Sequence, residues 1–173
     1  MQQLSATGLA LIKQSEGFRA ATYKDIAGFP TIGYGHRIVP PESYPNGMTE
    51  AQASAALNAD VFCAERTVAR LVRVPLTQGQ FDALVDFCFN MGGGRLAAST
   101  LLRDLNAGQY DAAALQLLSW DHGMVAGHEV EVAALKARRL AEYELFTGHA
   151  YTAAKPIIGP PAAKPAPATA ATK

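Results

Sequence analysis

The chain has 173 residues, 49% of them hydrophobic, enough for one compact domain or two small lobes sharing a core and too few for an elaborate multidomain enzyme. Fifteen basic and fifteen acidic residues give a formal charge of zero, which removes any global field for binding nucleic acid or an anionic membrane. The longest apolar run near the N-terminus, Gly8-Leu9-Ala10-Leu11-Ile12, is too short for the core of an export signal or for a membrane span. From Leu4 to Gln14 the apolar positions Leu4, Leu11 and Ile12, with small Gly8 between them, recur near helical spacing and predict a first helix. Gly17, after Ser15-Glu16, supplies its stop.

Residues 21–39 change character. Tyr23, Phe29, Ile32, Tyr34 and Ile38 are punctuated by Gly28, Pro30, Gly33 and Gly35, which predicts short strands joined by tight turns. Residues 40–47 read as a loop, after which Thr49 caps a new helix with Gln52 three positions on, close to a capping box. That helix can run from Glu50 to Val72, where Pro75 follows, a length of ~35 Å that suits a connector between two lobes. Thr77 to Met91 is apolar almost all round, the pattern of a buried helix, and Gly92-Gly93-Gly94 ends it. Three further helical segments are predicted at Ser99 to Asn106, Tyr110 to Leu118 and Val130 to Thr147, with Gly108 and Gly148 at the C-terminal edges of two of them.

Cys63 and Cys88 both fall inside predicted helices and read as free buried thiols, because nothing supplies metal-ligand spacing or a small disulfide framework. Arg66, Arg70 and Arg73 could form a basic patch on one helix or simply a solvated face. From Ala153 the composition shifts to Ala, Pro, Lys and Thr, which cannot bury enough apolar surface to offset ordering entropy, so 153–173 is expected to be a disordered tail.

Two carboxylates and a hydroxyl stand out. Glu16 closes the first helix, where a Glu is either a solvated surface charge or, with surroundings that keep a proton on it, a general acid. Asp25 precedes a turn, either bonding its own backbone or lining a cleft as the ionised partner that positions water or acts as nucleophile. Thr31 is either an ordinary β-branched strand residue or a hydroxyl beside the attacking water. A carboxyl pair, one protonated and one ionised, is the minimum equipment for breaking a glycosidic bond. Gly33 and Gly35 lack Cβ atoms and allow a sugar or a facing backbone to approach closely.

The spacing of Glu16, Asp25 and Thr31 within Ser15-Glu16-Gly17-Phe18-Arg19 and Thr31-Ile32-Gly33-Tyr34-Gly35-His36 resembles the catalytic signature of the phage-type lysozymes, the endolysins. Residues 81–92, 99–108 and the closing segment with Leu135, Arg138-Arg139, Glu142 and Leu145-Phe146 look like the second-lobe helices of that family, so the resemblance covers roughly 4–148. It implies an α+β, mainly helical, two-lobed fold, with a small sheet-containing lobe over 16–48, a connecting helix over 49–73 and a helical lobe over 74–152. The implied activity is hydrolysis of the β-1,4 bond between N-acetylmuramic acid and N-acetylglucosamine in peptidoglycan, with Glu16 as acid, Asp25 and Thr31 handling water, and no metal or organic cofactor.

Gly33, Phe89 and Asn90 are the candidate substrate contacts, Phe89 as a stacking face and Asn90 as an amide for an N-acetyl or hydroxyl group; core packing is the alternative for Phe89. Arg138 reaches toward Glu16 in this reading, and His36 is a paired structural imidazole. A monomer is expected, with peptidoglycan strands as its partner and no stable membrane insertion. Accumulation in the host cytoplasm and release through a holin-like pore are what the resemblance implies for an endolysin. Rival readings are a chitin-active hydrolase or lytic transglycosylase of the same fold, or a non-catalytic glycan-binding phage module.

Overall fold

A computed structural model describes residues 2–25, 28–125 and 128–150. The expected tail, 153–173, lies outside the described residues. The first helix, α1 (Ala6–Glu16), begins at Ser5, whose hydroxyl accepts the Gly8 N–H and donates to Asp82. Gly8 is buried, and a Cβ there would lie 2.8 Å from the Asp82 carboxyl carbon, so the missing side chain lets α1 press onto the buried helix described below. The helix stops where Gly17 turns to φ +68° while donating to the Lys13 carbonyl.

Three short antiparallel strands follow in sheet order, β1 (Arg19–Lys24), β2 (Pro30–Gly33) and β3 (His36–Arg37). The register pairs Tyr23 with Thr31 and Thr31 with Arg37, while an irregularity separates Tyr23 from Arg19. Ile32 points to the other face and is fully buried.

The long helix α2 (Glu50–Leu71) has the predicted capping box, Thr49 with Gln52. Its buried positions Ala53, Leu57, Val61, Ala64 and Val68 fall three or four apart on one stripe, and at 22 residues it spans ~33 Å. Glu50 accepts the Tyr34 hydroxyl at 2.7 Å and Asp60 meets His36 at 2.8 Å, both on the sheet side, whereas Glu65 accepts the Leu4 N–H at 2.6 Å beside α1. One helix thus holds the sheet and the helical part together.

Helix α3 (Gln78–Met91) is buried without interruption from Phe81 to Cys88, more than two turns, as its all-round apolar sequence predicts. It packs against α1, α2 and the last helix, α7 (Ala133–Thr147). Between them lie α4 (Gly93–Ala97), α5 (Thr100–Asn106, capped by Ser99) and α6 (Tyr110–Leu117). Of the three glycines after Met91, Gly92 ends α3 at φ +85°, but Gly93 and Gly94 open α4. A Cβ on Gly93 would stand 2.7 Å from the Thr67 methyl of α2.

Three expectations need correction. Val130 does not open the last helix: it lies in β5 (His128–Glu131), paired antiparallel with β4 (His122–Val125), and α7 begins only at Ala133. Cys63 is exposed, because it sits outside the buried stripe of α2; Cys88 is buried. Arg66 and Arg70 extend from exposed positions of α2, but Arg73 lies beyond its last residue, Leu71, so the three arginines do not share one helix.

Candidate active site

Glu16 ends α1, and its carboxylate meets two elements far away in sequence. Oε1 accepts Arg138 Nη1 of α7 at 2.7 Å, and Oε2 would lie 3.4 Å from a Cβ at Gly35, in the turn between β2 and β3. Gly35 is at φ +83°, a conformation in which a side chain is strained, so its bareness serves both the turn and the approach of Glu16.

Arg138 is 6% exposed and does not act alone. Its Nε and Nη2 donate in parallel to the two oxygens of Asp86 on α3, both at 2.8 Å, leaving Nη1 to Glu16. This fork fixes the guanidinium plane, and three helices converge on one side chain. Burial pulls the Arg138 cation toward neutrality, but the hydrogen bonds and charges of Asp86 and Glu16 outweigh it and raise the pKa.

Behind it, Arg139 is fully buried, donates to Asn90 Oδ1 at 2.8 Å and stands 2.8 Å from Glu142 Oε1, a charge contact rather than an aligned hydrogen bond. Burial, reinforced by the nearby Asp86 carboxylate, raises the Glu142 pKa well above the ordinary carboxyl range. Burial thus disfavours the charged form of Glu142, which would add another negative charge to the buried cluster.

Asp25 and Thr31 are joined by one residue of main chain. The Phe29 N–H donates to Asp25 Oδ1 at 2.8 Å, and the Phe29 carbonyl accepts both the Asp25 N–H and the Thr31 hydroxyl, each at 3.0 Å. Thr31 is 3% exposed. The hairpin thus brings these two candidates together at one end of β2, while Glu16 approaches the turn at its other end.

The remaining candidates lie differently. Gly33 is buried, with φ +67°, and a Cβ there would meet the Ala53 Cβ at 2.9 Å, so what approaches Gly33 closely is helix α2. Phe89 is partly buried against the core and lines a cavity of about 270 Å³ with Asp60, Cys63 and Thr67 of α2. The side-chain oxygen of Asn90 accepts from Arg139.

His36 is a paired imidazole: Nδ1 lies 2.8 Å from Asp60 Oδ2 and Nε2 3.2 Å from Glu42 Oε2. Burial lowers its pKa, and the two carboxylates more than reverse that, leaving it raised. Among the described residues no cluster of three or more His, Cys, Asp or Glu side chains could hold a metal ion.

The sequence reading gave no role to Asp86 or Glu142. The signal was present for Asp86, an acid in the middle of a helix apolar on all sides, which demands a buried cation.

The fold, with the hairpin, the long helix and the buried helical core, is shared with known proteins. A family model described as phage lysozyme matches residues 13–142. The chain belongs to the phage lysozyme family. It is 41% identical over 149 residues to the endolysin of Salmonella phage P22, covering 84% of this chain and 99% of that one. Among solved structures it resembles the endolysin from Escherichia coli O157:H7 phage FAHEc1, at 36% identity and a TM-score of 0.78 over 87% of this chain and 98% of the other. It matches the muramidase domain of SpmX from Asticaccaulis excentricus with the same identity and TM-score over 84% and 98%. Membership in the phage lysozyme family carries with it the class of chemistry, enzymatic breakdown of peptidoglycan, and the mainly helical fold with small antiparallel sheets is that of the phage endolysin structures.

Proposed function

We propose that this phage lysozyme family member is a muramidase that hydrolyses the β-1,4 bond between N-acetylmuramic acid and N-acetylglucosamine. Glu16 gives its proton to the leaving oxygen, Asp25 as carboxylate handles the water or the developing positive charge on the sugar, and the Thr31 hydroxyl assists. The observation that carries this reading is the convergence on one hairpin: Glu16, clamped by Arg138, faces the Gly35 turn, and Asp25 and Thr31 share the Phe29 backbone at the other end of the same strand. A clamped acid also meets the need for a fixed reacting geometry.

The test is turbidity clearing of outer-membrane-stripped Gram-negative cells by the wild type, Glu16→Gln and Asp25→Asn, with reducing-end analysis of the products. Near-complete loss in Glu16→Gln, a large loss in Asp25→Asn, folded circular dichroism in both, and new free reducing ends are expected. Equal clearing by Glu16→Gln would sink its role as acid, and products without free reducing ends would replace hydrolysis by transglycosylation.

For reaching the wall, a holin-like pore is the proposed partner, since no described helix is long and apolar enough to cross a membrane. Lysis that starts equally early without a co-expressed holin would remove that partner. A single species of monomer mass in light scattering is the outcome proposed for the oligomeric state.

A further inference from the structure

The register that pairs Tyr23 with Thr31 and Thr31 with Arg37 aligns these three residues in a row across the sheet. Directly paired residues project from the same face, with neighbouring strands ~4.8 Å apart, so Tyr23 and Arg37 flank Thr31 on either side. Phe29, two positions before Thr31, belongs to that face as well. The Arg37 guanidinium lies over the Phe29 ring, Cζ 3.3 Å from its centroid, and the Arg19 guanidinium lies over the Tyr23 ring at 4.4 Å.

Both arginines are exposed, and Phe29 is 40% exposed. The arginine ion pairs among the described residues belong to Arg103, Arg138 and Arg139, so the donors of Arg19 and Arg37 are not committed to carboxylates there. Stacking on a ring uses the flat face of the guanidinium and leaves its in-plane N–H fork at the edge, in the geometry that accepts a carboxylate with two parallel bonds. It also removes part of the side chain's rotamer freedom before any ligand arrives.

We propose that Arg37, with Arg19 on the other outer strand of the same sheet, forms a subsite for the free carboxylates of the peptide stems that peptidoglycan carries on its muramic acid residues. The inference rests on the muramidase reading, since it takes the row through Thr31 as the place where the cleaved sugar lies. A chain with no net charge has no field with which to gather an acidic polymer, so recognition of its charge must be local, and Arg37 and Arg19 are exposed cations on the two strands that flank Thr31. The stem is attached to the sugar at the scissile bond, and Arg37 stands one strand away from Thr31. The arginines of α2 stand on another element, and the one with a described ring contact, Arg66, stacks only loosely on Phe62 at 5.8 Å.

The test compares kcat/KM on defined oligosaccharides of the alternating glycan, with and without peptide stems, for the wild type, Arg37→Ala and Arg103→Ala. Defined oligosaccharides carry no phosphate-bearing accessory polymer, so the carboxylates are the anions read. The wild type should prefer the peptide-bearing form, and Arg37→Ala should lower that preference about fivefold, in line with one exposed ion pair. Arg103→Ala, which removes an exposed arginine on α5, should leave the preference unchanged. An unaltered ratio in Arg37→Ala, or no preference in the wild type, overturns the subsite. Failure of the wild type to cleave either glycan would instead overturn the muramidase reading.

Discussion

Replacing Asp86 by Asn tests how far the clamp on Glu16 depends on one buried charge. Asp86 is fully buried and binds Arg138, itself 6% exposed, through two hydrogen bonds of 2.8 Å, so the substitution removes the buried countercharge and one of the two acceptors of the fork. Breaking such a pair from one side costs about 3–5 kcal/mol. Glu142 Oε1 stands 4.0 Å from Arg138 Nε and can take up part of the role, which favours the lower end, about 3 kcal/mol. At about 2–4 °C per kcal/mol for a domain of this size, Tm should fall by ~6–12 °C. Thermal and urea unfolding read the loss, and clearing assays well below the new Tm read the slackened hold on Glu16. The double variant Asp86→Leu with Arg138→Met should be less destabilised than the two single variants summed, by about 2 kcal/mol, because the cation goes with its partner. A Tm within about 2 °C of wild type for Asp86→Asn, or simple additivity in the double variant, would refute the argument.

The remaining expectations concern three other sites. His36 has a folded pKa raised by Asp60 and Glu42, so its stabilising contribution is complete below about 6.5 and fades as pH rises through the folded value; His36→Gln should therefore cost more at pH 6 than at pH 8.5 in urea unfolding, and a pH-independent cost would contradict the pairing. Gly33→Ala should lose at least about 1 kcal/mol, from a left-handed backbone angle and a contact at 2.9 Å with Ala53; an unchanged Tm with a raised KM would return Gly33 to the sugar. A thiol reagent should label Cys63 rapidly and Cys88 only on unfolding, since burial pushes the Cys88 thiol up to about 11; mass spectrometry showing both labelled in the native state would contradict this.

The helices of this protein are legible in its sequence where local chemistry and burial agree. Thr49 with Gln52, Ser99 and Gly17 mark ends, and the unbroken apolar run of α3 declares its burial. The β4–β5 hairpin escaped because His122 to Glu131 mixes charged and apolar residues without a strong period, although Ala126-Gly127 sits between two four-residue strands, a spacing that hairpins use. Gly33 shows the limit of reading a bare position: absence of a Cβ announces a close approach but not what approaches, and here it is Ala53 from twenty residues downstream. Arg138 could be suspected of reaching Glu16, yet its orientation comes from Asp86, and a fork between α3 and α7 has no signature along the chain.

The Arg138 clamp also has a history within each molecule. Glu16 and the arginine that holds it are separated by 122 positions, and the anchoring Asp86 lies between. Contacts this distant in sequence close late, after the local helices and the hairpin have formed. During synthesis the hairpin with Asp25 and Thr31 leaves the ribosome early, but the carboxylate at the end of α1 finds its cation only when nearly the whole folded chain has emerged. Any product truncated before α7 lacks the cation that holds Glu16, and α7 is the last of the described helices to leave the ribosome.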